Sequence, residues 1–185
     1  MRRDERLAAS MGVAPLIDAI LSTLFQFVEN TEGSDADLNR ATDYVCDGQD
    51  VSARYRSHRD WLTYCVGLGE VTIRRSGTIT EWDKMLAGHG RYLFVCGLSA
   101  DALSIVGWVM VDLDVFRRLV RDADRLLLTL PVARPVEGNG TTDWLQPVRV
   151  REWAQHDATL IAASSEAGGW IDHEAYADWL ANLDA

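Results

Sequence analysis

Lysine is all but missing from this chain: of its 18 basic residues only Lys84 is a lysine, and the other 17 are arginines. Arginine codons are GC-rich and lysine codons are not, so the bias speaks first to the coding sequence. It also sets Lys84 apart as a compact, tunable ammonium among planar guanidiniums. Cysteine is nearly as scarce. Cys46, Cys65 and Cys96 are odd in number, widely spaced and set among apolar neighbours. That fits neither a disulfide framework nor a zinc set and predicts buried, reduced thiols. No apolar run approaches the roughly 18 to 20 residues needed to span a bilayer. Leu16 to Val28 is interrupted by Asp18, Ser22, Thr23 and Gln26, and Ile105 to Val111 is too short. The chain opens Met1-Arg2-Arg3-Asp4-Glu5-Arg6 without the apolar run of a secretory signal, so a cytoplasmic location is expected. There is no glycine-rich phosphate loop, because Gly67-Leu68-Gly69 lacks the third glycine and a following helix. His58, His89, His156 and His173 have no ligand spacing, and Ser164-Ser165 has no nucleophile-elbow context.

What is present is the composition of an ordinary globular domain. With 185 residues, 48% hydrophobic and 25% charged, the chain can bury roughly 70% of its unfolded surface, which excludes disordered and collagen-like classes. Twenty-eight acids give a net charge of -10, disfavouring a general nucleic-acid or anionic-membrane surface. The charge is uneven: Ser52 to Arg91 carries seven basic and four acidic residues, a net of +3, whereas Glu137 onward carries nine acids against two arginines. The central segment is thus the expected home of any anionic ligand.

Apolar residues from Leu16 to Val28 recur at three- and four-residue spacing, predicting a helix over 14–29 with Pro15 in its first turn. Thr42 to Cys46 and Val51 to Tyr55 flank Asp47-Gly48, a hairpin signal. Glu70 to Arg74 reads as a further strand. Thr80 begins a short helix with a hydroxyl cap and acids in its first turn, stopped at Gly88 to Gly90. Tyr92 to Cys96 and Ile105 to Val111 read as central strands, and Asp112 caps a helix through Val120. Asp124 to Leu130 is ambiguous between helix and strand; Trp144 to Val150 is a strand candidate and 172–183 a last helix. The expectation is a single α/β (α+β) domain, with helices on a mixed central sheet spanning about 42–150.

Three constellations could carry chemistry. Arg54 and Arg56 share a strand face that Arg74 could join, and a bidentate fork suits phosphate, so these three are candidate phosphate ligands. Their plainer role is a solvated edge. Glu81 and Lys84 lie three apart on one helix face, either an ordinary ion pair or, with Asp43, a catalytic set. Asp43 and Glu70 on adjacent strands are candidate ligands for Mg²⁺, although Asp43 also suits a turn or cap.

Thr42-Asp43, Arg54-Tyr55-Arg56, Val71-Thr72-Ile73-Arg74, Thr80-Glu81, Lys84 and Asp112-Leu113-Asp114-Val115-Phe116-Arg117 resemble an uncharacterised family of bacteriophages and bacterial mobile elements. The similarity covers roughly residues 40 to 120, with an echo in Leu160 to Ser164. The order of elements also resembles the restriction-endonuclease-like PD-(D/E)XK fold, which implies a Mg²⁺-dependent nuclease with Asp43 as first acid. Ser52-Ala53-Arg54 departs from that motif, lacking its second acid and lysine, so Glu70 or Glu81 and a migrated Lys84 would have to substitute. Three functions are therefore expected: a nuclease acting on nucleic acid, a non-catalytic protein that engages a host or defence protein, or a binder of nucleotide phosphate at the arginine cluster.

Overall fold

In the computed structural model, which describes residues 3–31, 42–75, 80–138 and 141–164, the first element is helix α1 (Arg3–Leu24). It starts before the predicted boundary, runs through Pro15 and stops at Leu24 rather than at 29. The stop has a tertiary cause. The Asp47 carboxylate accepts the backbone N–H groups of Gln26 (3.1 Å) and Phe27 (2.7 Å), drawing the chain out of the helix into strand β1 (Val28–Asn30).

Strands β2 (Tyr44–Cys46) and β3 (Gln49–Arg56) form the expected hairpin, with Asp47 and Gly48 at φ 48° and 78°, the left-handed pair of a tight hairpin turn. Next, α2 (His58–Asp60), capped by Ser57, passes into a π-helical stretch, Trp61–Gly67. Then come β4 (Val71–Arg74), α3 (Glu81–Leu86), β5 (Tyr92–Leu98), β6 (Ile105–Asp112), α4 (Leu113–Arg121) and α5 (Ala123–Leu126), which resolves the ambiguous region as one helical turn. The described chain ends through β7 (Arg134–Gly138), β8 (Thr141–Val148), α6 (Val150–Trp153), a 3₁₀ turn and β9 (Ile161–Ser164). The helix expected over 172–183 lies outside the described residues.

The result is a mixed α+β architecture, as expected in class, with two sheets where one was expected. Six strands run β1-β2-β3-β5-β6-β9, all neighbours antiparallel except β3 and β5; a separate three-stranded antiparallel sheet runs β4-β8-β7. Period-two alternation splits the core between the faces of the larger sheet. Phe94, Cys96 and Met110 pack with Val13, Ile17, Leu21 and Leu24 of α1. Leu93, Val95, Val109 and Val111 pack with Trp61, Ile73, Met85, Phe116 and Trp153 on the side of the smaller sheet and the remaining helices. Val51 faces α1, so Ser52, Arg54 and Arg56 face the other way, toward β4 and α3. Cys46, Cys65 and Cys96 are all buried free thiols. Trp82 is buried too, edge-on to Phe116 with ring centroids 5.7 Å apart.

Candidate functional site

Alternation on β3 brings Arg54 to α3 and Arg56 to β4, and the acids come to meet them. Asp43, just before β2, accepts Arg54 Nη1 at 2.8 Å and the backbone N–H of Ala53 at 2.7 Å, both on Oδ2. On the other side of the guanidinium, Nη2 donates to Glu81 Oε1. Glu81 stands in the first turn of α3 because Thr80 caps that helix: the Thr80 side chain accepts Asp83 N–H at 3.1 Å while Asp83 Oδ2 accepts Thr80 N–H at 3.0 Å. The other Glu81 oxygen accepts Arg74 N–H at 3.3 Å, so Arg74 joins the site through its main chain. Side-chain exposures of 27% for Arg54, 28% for Asp43 and 11% for Glu81 place this bridge between surface and interior. Burial lowers the proton affinity of Arg54, but Glu81 and Asp43 more than offset it and hold the guanidinium firmly protonated.

Arg56 is held differently. Its Nη2 donates to Thr72 O at 3.0 Å and Thr72 Oγ1 at 2.6 Å, and Nη1 donates to Tyr55 O at 3.2 Å, tying the larger sheet to the smaller one. Burial pulls its pKa below the usual arginine value, and the neighbouring Arg54 adds to the depression. Together Asp43, Glu81, Arg54 and Arg56 sum to zero charge. The same cancellation operates more widely: Arg91 bonds Asp112 and, at 3.0 Å, Asp114. Asp43, Asp112 and Asp114 all lie outside Ser52 to Arg91, so folding brings three carboxylates onto the arginines of a segment whose own net charge is +3.

Glu70 does not share these partners. Its carboxylate is fully buried, with Arg134 Nη2 reaching Oε1 at 3.2 Å and Oε2 at 3.0 Å, and Arg149 Nε 3.6 Å from Oε1. The expected Asp43 and Glu70 pair is thus divided between two arginine systems. Among the described residues no group of three or more His, Cys, Asp or Glu side chains is arranged to hold a metal ion. Lys84 is partly buried one turn beyond Glu81 on α3.

Thr72, Arg134 and Arg149 are the residues that motif reasoning misses. The signal that could have found the last two is electrostatic: a glutamate beginning an apolar strand needs cations from elsewhere in the chain. The arginines also act as cross-links of a kind lysine cannot make. Arg117 bonds the carbonyls of Met85 (2.6 Å), His89 (2.5 Å) and Gly90 (2.7 Å) and the Asp114 carboxylate (2.6 Å), four acceptors for one planar fork.

Comparison with protein-family models, curated proteins and solved structures returned no match.

Proposed function

We propose that the protein is a non-catalytic binding protein that works by engaging another protein, the accessory type expected from its resemblance to phage and mobile-element chains. One observation carries the reading. Arg54 lies between Asp43 and Glu81 and bonds both, so the acids that a nuclease would offer to Mg²⁺ and the arginine it would offer to phosphate are spent on each other. Two further features support a protein partner. The net charge of -10 disfavours nucleic acid, and Phe27, Leu103, Leu127 and Val132 are each at least 75% exposed.

The test is incubation of single- and double-stranded DNA and RNA with Mg²⁺ or Mn²⁺ and the wild type, Asp43→Ala or Lys84→Ala. No cleavage by any form is expected, and calorimetric titration with Mg²⁺ and nucleoside triphosphates should give no saturable heat. Cleavage by the wild type that Asp43→Ala abolishes overturns the reading in favour of a nuclease. Nucleotide binding that Arg56→Ala abolishes overturns it in favour of a phosphate binder.

A further inference from the structure

Phe27 is 75% exposed, yet its main chain is among the most firmly tied at the edge of the larger sheet. Its N–H donates to Asp47 Oδ1 at 2.7 Å and its carbonyl accepts Asp47 N–H at 2.9 Å. The ring is therefore held outward by a clamped backbone. The ladder continues through Glu29 opposite Val45 to Thr31, whose N–H donates to Asp43 O at 2.9 Å. In an antiparallel pair the bonded residues alternate. With Phe27, Glu29 and Thr31 bonded inward, the N–H and C=O of Val28 point away from β2, toward the edge of the sheet that no other described strand pairs. Glu29 and Val45 share the face of this ladder opposite α1. With Phe27, Val28, Asp47 and Gly48 they line an open groove of about 580 Å³ that reaches Ser22 in the last turn of α1 and Gln26 just beyond it.

The electrical character of the groove selects its occupant. Glu29 and Asp47 are exposed acids, no lysine or arginine lines the groove among the described residues, and the C-terminal turn of α1, the negative end of its dipole, carries no basic residue. A second copy pairing edge to edge would bring Glu29 toward Glu29 and a charge of -10 toward another, which disfavours a homodimer. Building on the binding reading, we infer that β1 is the docking edge for an extended, basic segment of a partner protein, which adds as a strand beside Val28. It sets an apolar side chain on Phe27 and a lysine or arginine against Glu29.

The probe is a fluorescein-labelled peptide, Lys-Thr-Val-Thr-Lys-Thr-Val-Thr with blocked ends, which presents lysine and valine alternately on one face of a strand. Fluorescence anisotropy should give saturable binding that weakens several-fold between 0.1 and 0.5 M salt. At least tenfold loss is expected with Phe27→Ser, with Glu29→Lys, with the peptide carrying glutamate for lysine, and with a peptide N-methylated along one edge. The last two keep the wild-type protein, so they do not depend on a variant folding. Absence of binding, equal binding of the glutamate peptide, loss-free binding to both variants, or a dimer in sedimentation each overturns the docking edge. These outcomes leave the nuclease assay untouched, so failure of the edge and failure of the binding reading are distinguishable.

Discussion

The indole of Trp61 fills the space that a side chain on Gly97 would need: a β-carbon built there would lie 2.1 Å from Trp61 Cγ. Gly107, the cross-strand partner of Gly97, completes the floor, with a β-carbon there 2.8 Å from Trp61 Cζ2. The two glycines make a trough in β5 and β6 that lets a wholly buried tryptophan lie flat on the sheet. Gly97→Ala should therefore cost about 3 kcal/mol or more, because the obstacle is the root of a bulky side chain in a filled core. Gly12→Ala is the control. It lies in α1 with nothing within 4 Å of the new methyl and should stabilise by about 0.5–1 kcal/mol. Guanidinium denaturation midpoints of the two variants should move in opposite directions.

Arg54→Ala leaves Asp43 and Glu81 facing one another without the cation between them. The bridge is partly buried, so the expected loss is about 2 kcal/mol, between the values for exposed and interior pairs. Arg54→Lys should recover less than half of this, since one ammonium cannot span both carboxylates as the fork does. A double-mutant cycle of Arg54→Ala with Glu81→Gln should give a coupling above about 0.5 kcal/mol; strict additivity would show that the contact contributes nothing to stability.

Burial pushes the thiols of Cys46, Cys65 and Cys96 up to about 12 from the ordinary 9.0. The native protein should react only slowly with a thiol reagent at pH 8, and all three should react once it is denatured. The linkage has a definite sign. Each thiol stays neutral in the fold but ionises near pH 9 when unfolded, so the stability it contributes is complete below that point and falls as pH rises toward 12. Melting temperature should decline across that window, and a Cys46→Ala, Cys65→Ala, Cys96→Ala variant should decline less.

At the acid end the sign reverses. Hydrogen bonds from Thr80 hold Asp83 below the ordinary carboxylate value, and Ser99 does the same for Asp101. Their contribution is complete above the unfolded aspartate pKa, about 3.9, and is lost as pH falls through the lower native value. Thr80→Ala should lower the melting temperature at pH 7 and narrow the gap to the wild type as the pH approaches 2. A constant gap would separate the cap from the titration.

Local chemistry was the legible part of this sequence. The Asp47-Gly48 turn, the hydroxyl cap at Thr80 and the Asp112 cap are written in residues a few places apart, and each formed where expected. The α1 boundary was not legible, since Asp47, some twenty residues away, ends that helix. Nor was the division into two sheets, because the partners of β4 lie at Leu145 to Val148. At the site, Asp43, Arg54 and Glu81 could each be singled out by type. Their mutual contact spans 27 residues between Arg54 and Glu81 alone, and only folding reveals that the acids meet the arginine.

The parallel join of β3 to β5 bears on the order of assembly. The hairpin of β5 and β6 closes through a short loop, so it can form early at little entropic cost, as can the hairpin of β2 and β3. Joining these two hairpins into one sheet requires the chain to cross over from the end of β3 at Arg56 to the start of β5 at Tyr92, with the described helices and β4 between them. In the folded state Trp61 in its glycine trough and the Arg54 bond to Glu81 of α3 both tie that crossover to the sheet. Contact order predicts that this non-local join, not either hairpin, sets the folding rate.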